Sequence, residues 1–147
     1  MEVETEANRI NDRFKRGKWR PIVFLNRQHT HQEVRRYYRA AHLCMVTSLH
    51  DGMNLVAKEA VSVSRRNAVL ALSENTGAHE ELGAFAVTLH PFDIQQQADA
   101  LYEALMMPAA KRRDLRQAAA DIVRANDVAK WLAFQLADLA EITGLWS

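Results

Sequence analysis

From residue 43 to residue 89 the chain alternates short, unbroken apolar runs with longer stretches in which apolar side chains recur every three to four positions. The runs at 43–47, 68–72 and 84–89 are too short for buried helices and are rich in β-branched and aliphatic residues, so they predict strands covered on both faces. An earlier run, Ile22-Val23-Phe24-Leu25, predicts a further short strand. Helical periodicity marks 3–16, 31–41, 53–64 and a short segment at 77–82. Strands alternating with helices predict an α/β fold, a Rossmann-like parallel sheet with flanking helices. The C-terminal third is wholly helical, at 93–106, 109–124 and 127–142, with Pro108 as a first-turn proline and Asp127 as an N-cap. No repeat or low-complexity linker divides the chain. It reads as one domain, with the sheet core at about 3–92 and the terminal helices at about 93–142.

Composition narrows the function. With 147 residues there is material for one core, and a formal net charge of +1 with 25% charged residues demands no nucleic-acid partner. Three basic clusters, Lys15-Arg16-Gly17-Lys18, Arg35-Arg36 with Arg39, and Lys111-Arg112-Arg113 with Arg116, read as solvated helix faces, since acids are nearly as numerous and no aromatic pattern accompanies them. No apolar run approaches bilayer length, and Met1-Glu2-Val3-Glu4 lacks the basic and apolar regions of a signal peptide, which points to the cytoplasm and to no membrane partner. The single Cys44 lies in an apolar strand, cannot form an internal disulfide, and reads as an inert core thiol. His29-Thr30-His31 has no companion ligands at zinc spacing, so no metal is expected.

The chemistry concentrates in Thr47-Ser-Leu-His-Asp-Gly-Met-Asn-Leu-Val-Ala-Lys-Glu59: a strand end, an Asp51-Gly52 break, then a helix start. In an α/β sheet ligands bind outside the carboxyl ends of the strands, where helix N-termini present free amides and partial positive charge. Gly52, Met53, Asn54 and Leu55 are the candidate donors of those amides, and two carboxylates, Asp51 and Glu59, flank them. Such a site suits a sugar nucleotide. Taken singly the residues have plainer readings: Asp51 as a turn former, Glu59 as an exposed helix glutamate, Lys58 as a solvated lysine.

The string His-Asp-Gly-Met-Asn-Leu-Val-Ala-Lys-Glu resembles the nucleotide-sugar motif of trehalose-6-phosphate synthases, retaining glycosyltransferases of the GT-B fold that use UDP-glucose. Trp19-Arg20-Pro21-Ile22, Tyr38-Arg39-Ala40-Ala41, Leu72-Ser73, Gly77-Ala78, Glu81-Leu82, His90-Pro91-Phe92-Asp93 and Asn126-Asp127-Val128 follow in the family's order, so the likeness runs from about Thr5 to Leu139. His42 stands where the family usually carries Asp, and Val63 to Asn67 is trimmed of polar residues.

The resemblance implies the C-terminal, donor-binding half of a GT-B fold, a single partial domain. Asp51 and the amides of Gly52 to Leu55 would meet glucose and diphosphate, and Glu59 would accept the two ribose hydroxyls. Gln28, His29, Thr30 and His31 would line the base pocket through backbone groups, with lone surface histidines as the alternative. No cofactor or metal is implied, since UDP-glucose serves as donor substrate and the leaving diphosphate assists the acceptor. The acceptor site, the basic pair that grips the diphosphate and the first strand of the nucleotide domain have no counterpart in the sequence. Negligible transfer is therefore expected of this chain alone. The expected partners are UDP-glucose or UDP, and a complementing N-terminal domain or a second copy. A stand-alone binding or interaction module, or a non-functional remnant, is the alternative.

Overall fold

A computed structural model describes residues 2–144 and divides the chain into two compact units, residues 1–30 and 31–147. The sequence reading ran one core from residue 3. In the second unit the sheet core instead begins with the helix at His31.

The first unit is built on α1 (Glu2–Phe14). Asn11, buried on this helix, donates its amide to the Ile22 carbonyl and accepts from the Ile22 N–H, both at 2.9 Å. The expected strand at 22–25 does not form: these residues are irregular, and an asparagine side chain occupies the backbone groups of Ile22 that a ladder would use. Arg16 and Trp19 close a tight turn through reciprocal backbone bonds, with Gly17 at φ 58°.

The second unit runs α2 (His31–Ala40), β1 (Leu43–Val46), α3 (Leu55–Val63), β2 (Val69–Ser73), α4 (Ala78–Leu82), β3 (Val87–Leu89), α5 (Ile94–Met106), α6 (Ala109–Ala125) and α7 (Val128–Thr143). The three strands are parallel in the order β1-β2-β3, with Leu43 opposite Val69 and Ala71 opposite Val87. Every residue of β2 is buried, as a central parallel strand requires. Its alternation divides the core. Leu70 and Leu72 face Val46, Ala57, Val61 and Leu82, while Val69 and Ala71 face Leu89, Ala100, Ala104 and Met107. The small residues Ala57, Ala60, Ala119 and Ala120, all buried, let α3 and α6 lie close to each other on one face of the sheet, while buried Ala100 and Ala104 let α5 lie close to the other face.

Two boundaries move. Residues 83–85 form a 3-10 turn, so the strand expected from 84 is only Val87–Leu89. The apolar run there conceals the turn because Gly83 sits against the His79 ring, where a Cβ would lie 2.6 Å from it. Asp93 and Asp127 both act as N-caps, accepting from the Gln96 and Lys130 amides at 2.9 Å. Pro108 stands one residue before α6 rather than inside its first turn. Among the described residues no helix is long and apolar enough to cross a membrane. Burial pushes the Cys44 thiol up to about 11, so it stays protonated and packs as an apolar group.

Leu72 is fully buried in the layer it shares with Val46, Ala57 and Leu82. Leu72→Ala is expected to cost about 2–5 kcal/mol, with an unchanged denaturant slope, in a urea titration followed by circular dichroism.

Candidate functional site

The β1–α3 connection is stitched to the β2–α4 connection at the carboxyl edge of the sheet. The Asp51 N–H donates to the Asn75 carbonyl at 3.1 Å, the Gly77 N–H to the Asp51 carbonyl at 2.9 Å, and the Ala78 N–H to the Met53 carbonyl at 2.7 Å. Gly77 is needed here for closeness: a Cβ would stand 2.2 Å from the Gly52 carbonyl oxygen. Beneath the turn the buried Ser73 hydroxyl donates to the Ser48 carbonyl at 2.7 Å, and buried Thr76 donates to the Ser73 carbonyl at 2.9 Å.

Asp51 organises the helix start. Its carboxylate accepts from the Met53 N–H and from the Asn54 side-chain amide, each at 3.0 Å. Asn54 in turn accepts from the Ala57 N–H at 3.0 Å as N-cap of α3, at φ 76°, a conformation asparagine tolerates better than most residues. The Met53 N–H, followed by the Asn54 amide, holds the Asp51 carboxyl below the usual carboxylate range. The motif helix thus starts at Leu55 rather than at residue 53, and of the four amides expected to face a ligand, Met53's is donated to Asp51 itself. The turn-former reading of Asp51 is realised in the structure, and the same bonds set its carboxylate beside the helix N-terminus.

Glu59 lies on the same helix, solvent-exposed. With Val63 of α3 and His31, Arg35 and Tyr38 of α2 it lines a cavity of about 270 Å³. Desolvation first, then the Glu59 charge and Cys44, push the Tyr38 phenol up to about 12. Of the residues expected at the base pocket, His31 opens α2 and reaches this cavity, whereas Gln28, His29 and Thr30 fall in the first unit.

Lys58 is not a solvated lysine. Its ammonium pairs with Glu81 at 2.6 Å, with only 16% of the side chain exposed. The second Glu81 oxygen accepts from the Asn126 amide at 3.1 Å, and the Asn126 carbonyl oxygen accepts from Lys130 at 2.7 Å. Lys58 first, with Asn126, holds the Glu81 carboxyl below its usual range. This network borders a cavity of about 520 Å³ whose apolar wall includes Met53, Leu55, Trp131 and Phe134. The α7 stripe is exposed: Trp131, Phe134 and Leu139 each keep more than half of their surface. Sequence reasoning missed Tyr38, Glu81 and Asn126 as members of the site region. Only the Asn-Asp pair before α7 offered a local signal.

Three further histidines have structural partners. His90 meets Glu74 at 2.8 Å, His79 meets the Thr88 hydroxyl at 3.0 Å, and the His42 carbonyl accepts from the Val69 N–H at 3.0 Å.

A parallel sheet flanked by helices, with a capped helix N-terminus at its carboxyl edge, is a Rossmann-like domain. Comparison with known proteins agrees. The profile of glycosyltransferase family 20 matches residues 1–141, and the chain belongs to that family. It is 38% identical over 143 residues to the trehalose-6-phosphate synthase of Sodalis glossinidius, covering 96% of this chain and 30% of that protein. The structure is similar to that of alpha,alpha-trehalose 6-phosphate synthase from Burkholderia multivorans, with a TM-score of 0.90 and 40% identity over 99% of this chain and 32% of that one. It is also similar to the trehalose-6-phosphate protein from E. coli bound with UDP-2-fluoro glucose, with a TM-score of 0.88 and 35% identity over 94% of this chain and 31% of that one. The chain therefore spans about 30% of the length of the curated relatives it matches.

Gly77→Ala is expected to destabilise the domain by about 1–3 kcal/mol, because backbone and not a flexible side chain blocks the new methyl; a urea titration measures it. Asp51→Asn tests the charge. A depressed carboxyl stabilises the fold above the ordinary aspartate range and loses that contribution as pH falls through its folded value. The variant should be less stable at neutral pH and lose less stability on acidification, read from urea midpoints across the acid limb.

Proposed function

We propose that this chain is the donor-binding part of a retaining glucosyltransferase that resembles trehalose-6-phosphate synthase, transferring glucose from UDP-glucose to glucose 6-phosphate. The observation that carries the reading is the Asp51–Asn54 turn, which fixes the N-terminus of α3 at the sheet's carboxyl edge with Glu59 further along the same helix.

Each group has a chemical task. The amides at Gly52, Asn54 and Leu55, with the partial positive charge of the helix end, face the diphosphate and are worth about 0.3–1 kcal/mol to a negative group there. Asp51, ionised and held by its own turn, accepts glucose hydroxyls with its remaining lone pairs. Glu59 accepts the ribose diol, one hydroxyl to each oxygen, through charge-assisted bonds. His31, which opens α2 and reaches the cavity beside Glu59, lies toward the base. No metal or cofactor enters, because the departing diphosphate takes the acceptor proton and the protein's part is placement and charge stabilisation.

A helix N-terminus alone stabilises departing UDP too weakly for turnover, so basic groups and the acceptor site come from a complementing N-terminal domain, and transfer by this chain alone is negligible. A chain with one protonated, inert thiol suits the reducing cytoplasm where sugar nucleotides are used.

Calorimetric titration with UDP-glucose and UDP tests the reading. Binding at a Kd of roughly 1 mM or tighter, abolished in an Asp51→Ala, Glu59→Ala double variant that remains folded, is the expected result. No heat from folded wild-type chain would overturn it.

A further inference from the structure

None of the 16 residues of α7 is buried, yet its apolar side chains are ordered along the helix. Val128, Leu132, Gln135, Leu139 and Ile142 recur at alternating steps of four and three, the heptad spacing that keeps one stripe turned toward a neighbouring helix. Trp131 flanks the stripe on one side and Leu136 on the other. Val128 and Ile142, at its ends, are 78% and 81% exposed, and Leu132, Leu139 and the two flanking residues keep half or more of their surface. These six side chains together leave roughly 700 Å² of apolar surface free, more than the ~300–600 Å² of the largest patch on a typical monomer and close to the ~800 Å² that each partner buries in a standard interface. Phe134, with the Lys130 ammonium 5.6 Å from its ring centre, lies on the far side of the helix.

We propose that α7 is a dimerisation helix, whose stripe packs on the same stripe of a second copy of this chain about a two-fold axis. Three observations choose that occupant. Side chains at heptad spacing fit the gaps of a stripe with the same spacing, so this face is complementary to itself, as a two-fold contact requires. The one polar position, with two apolar positions on either side, is the exposed Gln135; its amide both donates and accepts, so Gln135 of a second copy satisfies it, and a single polar position of this kind fixes the register of the pair. The charged residues of α7 are Lys130, Asp138 and Glu141, whereas a helix that lies on an anionic membrane carries an excess of Lys and Arg. The free area is therefore enough for a stable dimer, and its pattern and charge suit another α7 better than a lipid surface.

Sedimentation equilibrium of the full chain is the test. A mass of twice 16.7 kDa, with a dissociation constant of about 1–100 µM, is the expected result. A Leu132→Glu, Leu139→Glu double variant should weaken association about 100-fold or more, since it places charge in the seam, while keeping its circular dichroism spectrum because both side chains are exposed within one copy. Gln135→Leu, which removes the polar position, should tighten association about 10-fold. Phe134→Ser, off the stripe, should leave the mass unchanged. Monomeric wild type at about 500 µM would overturn the proposal. So would a dimer that survives the double variant, one loosened by Gln135→Leu, or one that Phe134→Ser disrupts as strongly, because each moves the contact to another face. A monomer that co-sediments with phosphatidylglycerol vesicles, and loses them in the double variant, would give the stripe to a membrane and overturn it as well.

Discussion

The site depends on how closely two connections approach at the carboxyl edge of the sheet. Residues 51–53 and 75–78 are joined by three backbone hydrogen bonds, and the approach is so tight that the Gly52 carbonyl fills the space any Gly77 side chain would need. A backbone group buried at such a junction must find a partner, and here each connection supplies the other's. Because the β2–α4 connection rests on buried Ser73 and Thr76, the turn that starts α3 inherits the rigidity of the central strand. Loops that bind ligands usually draw their accuracy from a scaffold in this way.

Charge placement follows from that geometry. Asp51 spends its bonding capacity on the first turn of α3, and its charge is stabilised by the donors that order the turn. At the helix end one amide is therefore already committed and one negative charge is already present. Lys58, which by residue type could have served the phosphate, is neutralised by Glu81 on the neighbouring helix. A largely buried ammonium without that carboxylate would be costly, so the pair is structural before it is anything else.

Much of this was legible in the sequence where local rules act alone. Continuous apolar runs located β1 and β2 because a strand buried on both faces has no polar position to interrupt it, and Asp127 announced the start of α7 through capping chemistry. The run at 22–25 misled because apolar character does not supply a ladder partner, and Asn11, eleven residues away, satisfies the Ile22 backbone instead. The run at 84–89 misled because its first residues belong to the 3-10 turn Gly83–Phe85 that follows α4, and apolar character alone does not tell such a turn from a strand. Within the site, Asp51, Asn54 and Glu59 were readable from one contiguous string. Tyr38, Glu81 and Asn126 were not, since each meets the motif helix from a different element and no spacing rule links them to it.

That division has a physical cause. A helix N-terminus is built from consecutive residues, so its caps and turns leave a pattern in the chain. Two turns along α3 its neighbours come from distant parts of the chain, α2 on one flank and the α6–α7 junction on the other. Each flank has a carboxylate, Glu59 facing the α2 side and Glu81 bonded to Lys58 on the other, but the burial differs. The Glu81–Lys58 pair is sheltered and bonded again to Asn126, so it joins α3, α4 and the start of α7. Glu59 keeps its carboxylate at the surface, on the wall of the cavity it lines with His31, Arg35 and Tyr38. A carboxylate with its lone pairs used is a fastener. One at the mouth of a cavity still has capacity to accept, and on α3 that residue is Glu59.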